Sequence, residues 1–481
     1  MRTLYQYLME SAELTPDKLL FLDSSRRLSV LETLSLTEHL SYKFKSLGIA
    51  ARDLVALRTN RSVFSILALL ALRTLGAEVV LTDPRHEPKE FLADVKPAIP
   101  IKATVEQNGA TGFSVKTGTG SACFDVFKLR PARIPPEPRS ANEASFIIFT
   151  SGSTGSKKPV VLSEANLISN LLDSAPFGDY SKNDIALGAL PIDHVFGLAL
   201  LTGSIVLSHA LYLTDASSPA EILSVIERER ITRMNGVPSL YLAMCELAAE
   251  FDVSSLRAGF IGGSPFTKEQ FNRIEDTLGM TLVPVYGMSE CIGVSCADAR
   301  EPRSVRSEGV GRIYPMNEGA IMLDDGSFAK PGEVGEVLVR GPMRMLGYFG
   351  ELMPKNEWLK TGDMGMIGAD GILRLCGRRK DIIIRNGNNI SPVKIEDALH
   401  SIEGVKAVCV VGVPDPIQGE VPAALAVADK EPDELIVLLK DKLCKNELPA
   451  LILITDALPM TASGKPDKPM IREVLKNCLN G

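Results

Sequence analysis

Apolar positions recur with two different periods along the first hundred residues, which predicts a mixture of helices and strands. Residues 29–47 carry apolar side chains at helical spacing, and residues 63–75 form an apolar run long enough for a buried helix. Shorter apolar runs at residues 54–57 and 77–81 are typical of buried strands. Helices and strands in alternation favour an α/β layered fold.

The pattern changes twice further along the chain. The α/β alternation continues to about residue 300, and residues 302–371 then carry short strand-like runs separated by Gly and Pro turns. After Gly377 the pattern becomes compact α+β, and a proline-rich connection occupies residues 131–140. Because 481 residues are more than a single hydrophobic core usually contains, we predict two domains. The first is a large multi-layered domain at residues 1–379, with two α/β sheets and a β-rich subdomain. The second is a small mobile α+β domain at residues 380–481.

Composition and charge exclude several classes of function. A net charge of −7, with 45 % hydrophobic and 23 % charged residues, is ordinary for a soluble protein and argues against a nucleic-acid binder. The eight cysteines and five histidines show no zinc-type spacing, which favours reduced thiols in a cytoplasmic protein. No apolar stretch predicts a transmembrane helix, and the N-terminus does not resemble a signal peptide.

The most informative segment follows a strand-like run at residues 146–149. Residues 150–158 read Thr-Ser-Gly-Ser-Thr-Gly-Ser-Lys-Lys, a loop rich in hydroxyl groups and glycine that ends in two lysines. Glycines let the backbone approach an anion, and hydroxyl and N–H groups can surround phosphate oxygens. No Gly-Lys-Ser/Thr follows at the spacing of a standard P-loop, so a surface turn remains the alternative at this point.

Further clusters follow in order along the chain, and each is weak by itself. Residues 191–197 contain a histidine among apolar residues. Residues 286–290 contain an aromatic side chain, a hydroxyl and a carboxylate, and residues 358–363 contain a carboxylate beside a tight turn. A charged segment at 377–381 precedes a Gly/Asn loop at 386–392, and Thr461-Ala462-Ser463-Gly464-Lys465 lies near the C-terminus. The alternative interpretations are that the histidine is packed in the core, that the charged segment and its loop are a solvated linker, and that the C-terminal lysine is merely exposed.

The ordered series resembles the adenylate-forming superfamily, which contains acyl- and aryl-CoA synthetases, nonribosomal peptide adenylation domains and beetle luciferases. The features that carry the resemblance are the loop at 150–158, Tyr-Gly-Met-Ser-Glu at 286–290, Thr-Gly-Asp at 361–363, Gly-Arg-Arg-Lys at 377–380 and the C-terminal Gly-Lys. The resemblance extends from the N-terminal region to the last fifteen residues. It is greatest to AMP-forming acyl- or aryl-CoA ligases.

The resemblance implies a nucleotide site. The loop would wrap the β- and γ-phosphates of ATP, Gly262-Gly263-Ser264-Pro265 would lie along the adenine, and Tyr286 would stack on its other face. Asp363 and Arg378 would contact the ribose, and Glu290, with Thr150 as a helper, would hold Mg²⁺. The implied nucleotide-binding residues are Thr150, Ser151, Gly152, Ser153, Thr154, Gly155, Lys158, Gly263, Ser264, Pro265, Tyr286, Gly287, Met288, Ser289, Asp363 and Arg378.

The resemblance also implies the catalytic residues and those of the acyl pocket. Lys465 would bridge the substrate carboxylate and the α-phosphate, and Lys380 would be the hinge of the small domain. Lys465, Glu290 and His194 are the implied catalytic residues. The implied acyl pocket contains His194, Asn235, Gly262, Gly287, Met288 and Ile292. Four positions depart from the family pattern: Pro159 replaces a glycine, Glu164 replaces a histidine, Lys394 stands where an acid is common, and Pro466 directly follows Lys465.

The implied function is ATP-dependent activation of a carboxylic acid to an acyl-adenylate, followed by transfer to the thiol of CoA. The implied cofactors are ATP, Mg²⁺ and CoA, in fatty-acid or aromatic-acid metabolism. Transfer to the phosphopantetheine arm of an acyl carrier protein and a stand-alone adenylation enzyme are the alternatives, and an inactive nucleotide-binding relative is a different class. The Gly/Asn loop at 386–392 favours the CoA ligases, and retention of Lys465 and Glu290 argues against inactivity. The acid and the oligomeric state are left open.

Overall fold

The computed structural model describes residues 1–83, 85, 87–88, 92, 99–109, 112–118, 120–129, 140–150, 157–460 and 466–480. The chain divides into two compact units. One consists of Met1–Phe266, Gln270–Gly319 and Val339–Leu359, and the other of Thr267–Glu269, Ala320–Leu338 and Lys360–Gly481. The domain boundary at 379/380 stays a prediction, and the proline-rich connection at 131–139 lies outside the described residues.

Several helices begin at a side-chain cap that the sequence supplies. Ser29, Ser163 and Ser218 each accept a hydrogen bond from the third residue of the following helix, and that third residue bonds back to the cap. The helices of the described residues are α1 (Leu4–Leu14), α2 (Val30–Ser46), α3 (Val63–Thr74), α4 (Glu164–Ser174), α5 (Val195–Leu207), α6 (Pro219–Glu229), α7 (Pro238–Cys245), α8 (Lys268–Leu278), α9 (Arg303–Arg306), α10 (Pro392–His400), α11 (Pro432–Leu439) and α12 (Lys468–Asn480).

The first sheet belongs to the first unit and is parallel at its centre. Its strands are β1 (Leu19–Leu22), β2 (Arg27–Ser29), β10 (Ile185–Gly188), β11 (Ala210–Leu213), β12 (Arg233–Met234), β13 (Ala258–Ile261), β14 (Thr281–Met288), β15 (Cys291–Cys296) and β16 (Arg312–Ile313). Their order is β16-β15-β14-β13-β12-β10-β11-β1-β2, and the strands from β14 to β1 pair in parallel. Apolar side chains of α6, α7 and α8 share one core with this sheet.

The second sheet of the first unit combines a parallel centre with antiparallel edges. Its strands are β3 (Leu54–Arg58), β4 (Glu78–Thr82), β5 (Ala103–Asn108), β6 (Gly112–Thr117), β7 (Gly120–Asp125), β8 (Ala144–Thr150), β9 (Lys158–Ser163), β19 (Gly347–Tyr348) and β20 (Glu351–Leu352). Their order is β20-β19-β9-β8-β4-β3-β5-β6-β7, and β8, β4, β3 and β5 run parallel.

The second unit contains most of a four-stranded sheet and all of a five-stranded sheet. The strands are β17 (Glu318–Met322), β18 (Gly335–Arg340), β21 (Leu359–Ile367), β22 (Leu373–Arg378), β23 (Ile383–Arg385), β24 (Asn388–Ile390), β25 (Val405–Asp415), β26 (Gly419–Ala428) and β27 (Leu451–Ile454). The first sheet has the order β17-β18-β21-β22, and the second has the order β24-β23-β26-β25 with β27 paired to β26. Asn386 and Gly387 form the turn between β23 and β24, and both have positive φ, as a two-residue hairpin requires.

The predicted fold class is confirmed. The helical pattern at 29–47 forms α2, and all twelve residues of α3 are buried, as the continuous apolar run requires. The strand-like runs at 54–57 and 77–81 form β3 and β4, which pair in parallel. Within the described part of the chain, no helix combines the length and apolarity needed to cross a bilayer.

A buried polar cluster lies at the amino ends of the strands of the first sheet. His209 precedes β11, Arg233 begins β12, and the Arg233 guanidinium lies 4.0 Å from the centre of the Tyr180 ring. Nδ1 of His209 is 3.2 Å from the Ala210 carbonyl oxygen, while Nε2 has no hydrogen-bond partner among the described residues. The His209 side chain is 1 % exposed, and this burial lowers its pKa to about 4. The positive charges of Arg233 and Lys18 also lower the pKa, and the Asp184 carboxylate raises it.

We expect His209 to make the free energy of unfolding fall as the pH is lowered from about 6.5 to about 4. The unfolded chain binds a proton on His209 in this interval and the folded chain does not, because the folded pKa is the lower one. The loss should approach about 3 kcal/mol at the acid end. Urea unfolding at several pH values gives the free energy of unfolding as a function of pH. The contribution of His209 is the difference between the slopes of this dependence in the wild type and in His209→Asn. His39→Asn, at a partly exposed histidine of α2, is the control; identical slopes in all three proteins would contradict the assignment.

Candidate active site

The base of the predicted phosphate loop is a paired β-hairpin. β8 and β9 run antiparallel, with Thr150 opposite Lys158 and Phe149 opposite Pro159. Both ends of the loop are therefore fixed by the sheet, and Thr150 and Lys158 are brought together. Residues 151–156, which include the predicted Ser151, Gly152, Ser153, Thr154 and Gly155, lie outside the described residues.

Pro159 belongs to the strand that follows the loop. It is buried as the second residue of β9, and its carbonyl oxygen accepts a hydrogen bond of 2.9 Å from the backbone N–H of Phe349. Proline is tolerated near the first residue of a strand, where its missing N–H costs least. Because proline fixes its own φ angle, this departure from the family pattern stiffens the backbone directly after Lys158.

Ser289 and Glu290 form the two-residue turn between β14 and β15. Met288 pairs with Cys291 on either side of the turn, and the backbone N–H of Met345 donates to the Glu290 carbonyl oxygen at 2.8 Å. Tyr286 lies buried two residues before the end of β14. The predicted Tyr-Gly-Met-Ser-Glu motif thus lies on a rigid hairpin rather than on a long loop.

Tyr348, which sequence analysis did not single out, connects this hairpin to the base of the phosphate loop. It lies opposite Val160, because β19 pairs with β9. Its hydroxyl donates to Oε1 of Glu290 at 3.0 Å, and Nζ of Lys158 lies 5.4 Å from its ring centre. Partial burial and then the Glu290 carboxylate raise the pKa of Tyr348, so its hydroxyl stays protonated and acts as a donor at neutral pH.

The carboxyl ends of β12, β13 and β14 bring a second group of predicted residues to one edge of the first sheet. Asn235 follows β12 directly, and its Oδ1 accepts a hydrogen bond of 3.2 Å from the backbone N–H of Phe260. Gly262 and Gly263 follow β13, and Ser264 and Pro265 come next. Parallel α/β sheets commonly bind ligands at this edge, and the adenine and acyl roles of these residues stay predictions.

Two of the glycines at this edge have a packing reason. A Cβ atom at Gly262 would lie 2.6 Å from the Val285 carbonyl oxygen, and one at Gly287 would lie 2.3 Å from the Ile292 carbonyl oxygen. Both glycines therefore allow neighbouring backbone segments to approach closely. Ile292 is buried and Met288 is half-buried. The pocket-lining role of these four residues stays a prediction.

His194 lies at the start of the buried helix α5. It occupies the N-cap position, its side chain makes no capping bond, and it is exposed. Burial raises the pKa of the neighbouring Asp193, with His194 opposing that shift. Among the described residues, no hydrogen bond or ion pair joins the His194 ring to another predicted site residue, so its role at the acyl pocket stays a prediction.

The second unit joins the two residues predicted to contact ribose. Asp363 and Arg378 lie opposite each other in the β21–β22 pair, and Nε of Arg378 is 2.8 Å from Oδ1 of Asp363. The backbone N–H of Asp363 also bonds to Oγ1 of Thr361 at 3.1 Å. A carboxylate can accept further hydrogen bonds beyond the one from Arg378. The structure therefore presents Asp363 as an oriented acceptor, and its contact with ribose stays a prediction.

The predicted hinge is a short 3₁₀ turn, Arg379–Asp381, directly after β22. Lys380 is exposed within it, and Asp381 forms an ion pair of 2.8 Å with Lys468, the first residue of α12. Lys465 lies outside the described residues, three positions before Lys468 in the sequence. The ion pair joins the hinge segment to the start of the last helix, and the hinge role stays a prediction.

The two residues predicted to hold the metal carry oxygen donors, which suit Mg²⁺ better than a transition metal. No group of three or more His, Cys, Asp or Glu side chains among the described residues could hold a metal unaided. Glu290 and Thr150 offer a carboxylate and a hydroxyl, and Mg²⁺ is commonly bound by one or two carboxylates together with substrate phosphates. Thr150 pairs with Lys158, and Lys158 and Glu290 both contact Tyr348. The donor set fits a metal that is bound with ATP.

Comparison with known families decides the family of the chain. The family model of the AMP-binding enzymes matches residues 8–349, and that of the AMP-binding enzyme C-terminal domain matches residues 394–465. The chain belongs to the AMP-binding enzyme family. This confirms the predicted adenylate-forming resemblance.

Similar proteins agree with this assignment. This AMP-binding enzyme is 34 % identical to a feruloyl-CoA synthase of an Amycolatopsis species over 358 residues, which are 70 % of this chain and 71 % of that protein. It is 31 % identical to an indoleacetate–CoA ligase of Aromatoleum aromaticum over 507 residues, or 98 % of each chain. The structure of ATP-bound MatB from Rhodopseudomonas palustris matches with a TM-score of 0.85, 23 % identity and 99 % coverage of both chains, which confirms the fold.

Proposed function

We propose that this AMP-binding enzyme activates a carboxylic acid with ATP and transfers the acyl group to the thiol of CoA. The observation that carries the proposal is the contact of one side chain, Tyr348, with both Glu290 and Lys158 at the base of the predicted phosphate loop. A carboxylate suited to a hard metal ion and an ammonium suited to phosphate are thereby held at one place. This arrangement favours binding of a metal–triphosphate over the alternative of a surface turn.

The chemistry needs charge neutralisation more than a strong base. The substrate carboxylate is already ionised at neutral pH and attacks the α-phosphate of ATP, forming a carboxyl–phosphate bond while the bond to pyrophosphate breaks. Lys158 would hold the departing pyrophosphate, and Mg²⁺, when bound through Glu290 and Thr150, supplies positive charge to the phosphate oxygens. Lys465 would stabilise the charge that develops at the reacting bond. The CoA thiolate then displaces AMP from the acyl carbon, which yields a thioester.

We infer that the acid is aromatic or arylalkyl. The feruloyl-CoA synthase and the indoleacetate–CoA ligase are both named for aromatic acids. The predicted pocket residues Gly262, Met288 and Ile292 carry no charge, which suits an apolar acyl group. The same relatives are named as CoA enzymes, so CoA is the proposed acceptor and the phosphopantetheine arm of a carrier protein is the alternative.

The proposal is tested by ATP–pyrophosphate exchange with a panel of aromatic, aliphatic and amino acids. We expect exchange with at least one aryl or arylalkyl acid, release of AMP rather than ADP, and thioester formation only when CoA is added. Apo- and holo-carrier protein in place of CoA would test the alternative acceptor. Release of ADP would contradict adenylate formation, and absence of exchange across the whole panel would favour an inactive nucleotide-binding relative.

A further inference from the structure

Tyr348 contacts two groups of opposite charge that the proposed reaction uses. Its hydroxyl bonds to Oε1 of Glu290 at 3.0 Å, and its ring centre lies 5.4 Å from Nζ of Lys158. Across the described ranges, no ion pair joins Lys158 to Glu290 directly. The tyrosine contacts both, and its own position is set by the pairing of β19 with β9.

We propose that Tyr348 is a positioning residue for the metal–ATP site, acting through Glu290 and Lys158. Its hydroxyl fixes the Glu290 carboxylate through Oε1, and Oε2 makes no protein hydrogen bond among the described residues. Its ring holds the Lys158 ammonium at the end of the phosphate loop by a cation–π contact. The two functions belong to different atoms of one side chain, and they can therefore be separated by mutation. This inference rests on the proposed function, because it assumes that ATP and Mg²⁺ bind here.

Tyr348→Phe and Tyr348→Leu separate the two functions. Phenylalanine keeps the ring and loses the hydroxyl, so we expect the Mg²⁺ concentration for half-maximal binding of α,β-methylene-ATP to rise about tenfold. Binding of the analogue in EDTA should stay at the wild-type value, because Lys158 keeps its aromatic partner. Leucine loses both contacts, so it should also weaken binding in EDTA, by about threefold. Titration calorimetry measures both quantities without requiring turnover.

Tyr42→Phe removes a hydroxyl from an exposed tyrosine and is the matched control, which should bind like the wild type. Urea unfolding would show that the variants are folded. Unchanged Mg²⁺ dependence in Tyr348→Phe, or equal loss of EDTA binding in both Tyr348 variants, would overturn the inference. If the wild type binds the analogue but shows no ATP–pyrophosphate exchange with any acid of the panel, the proposed function alone is contradicted. A wild type that does not bind the analogue overturns both.

Discussion

Replacement of Lys465 by alanine should reduce ATP–pyrophosphate exchange by about a thousandfold and leave ATP binding nearly unchanged. Negative charge accumulates between the substrate carboxylate and the α-phosphate as the new bond forms. An ammonium placed there stabilises the transition state more than bound ATP, so its removal lowers the rate more than the affinity. Exchange kinetics and calorimetry with α,β-methylene-ATP measure the two effects separately.

The second half-reaction, transfer of the acyl group to CoA, provides a separate test of the Lys465 prediction. A chemically prepared acyl-adenylate supplied with CoA should still be converted to the thioester by Lys465→Ala, because the charge that Lys465 is proposed to stabilise develops in the first step. Lys476→Ala, at an exposed lysine of α12, is the control and should keep both half-reactions. Wild-type exchange in Lys465→Ala would refute the mechanism, whereas equal loss of both half-reactions would give the lysine a general binding role.

The long, strongly periodic segments of the fold were predictable because their signal is local. The twelve-residue helix α3 and the strands β3 and β4 follow directly from apolar runs at the expected lengths. The order of strands in the two large sheets has no such signal. β19 pairs with β9 although the two strands are far apart in the sequence, and only the folded chain brings these short strands together.

The candidate site shows the same division between local and distant information. The Tyr-Gly-Met-Ser-Glu motif predicted a carboxylate at a strand end, and the structure places Ser289 and Glu290 in the turn of a hairpin. The contacts of Tyr348 could not be predicted, because its partners, Lys158 and Glu290, are distant in the sequence and β19 is only two residues long. A glycine–tyrosine pair in a β-rich stretch was the available signal.

The departures from the family pattern have structural partners. Pro159 is buried in β9, and Lys394 forms an ion pair of 2.6 Å with Glu447. Glu164 is the first residue of α4, and its carboxylate is buried with the guanidinium of Arg73, Nε to Oε1 at 2.9 Å. None of these contacts could be read from the sequence, because each partner is distant in the chain or lies on another element.

The Arg73–Glu164 pair is a closed network with few exposed atoms. The side chains are 5 % and 3 % exposed. Oε2 of Glu164 also accepts a hydrogen bond of 2.7 Å from the backbone N–H of Leu4, and Arg73 donates to the Ala77 carbonyl oxygen and lies over the Phe146 ring. These contacts therefore join α1, α3, β8 and α4, and the two buried charges lie against each other.

Glu164→Gln is therefore expected to destabilise the first unit by about 3–5 kcal/mol, because it removes the carboxylate that lies 2.9 Å from the buried Arg73 guanidinium. Arg73→Met should cost a similar amount. The double variant should cost less than the sum, since the introduced glutamine can still accept from the Leu4 N–H and no charge remains buried. Trp358, the only tryptophan and a member of the same unit, reports urea unfolding by fluorescence.

Glu246→Gln is the matched control, because it makes the same chemical change in an exposed ion pair of the same unit. Glu246 and Arg273 are 64 % and 51 % exposed and lie 2.5 Å apart, and surface pairs of this kind contribute at most about 1 kcal/mol. A loss in Glu164→Gln no larger than that of the control would mean that water reaches Arg73. Strict additivity in the double variant would mean that the two side chains stabilise the unit independently. If Glu164→Gln loses more stability than the control and the double variant loses less than the sum, Glu164 has a structural role where the family pattern has a histidine.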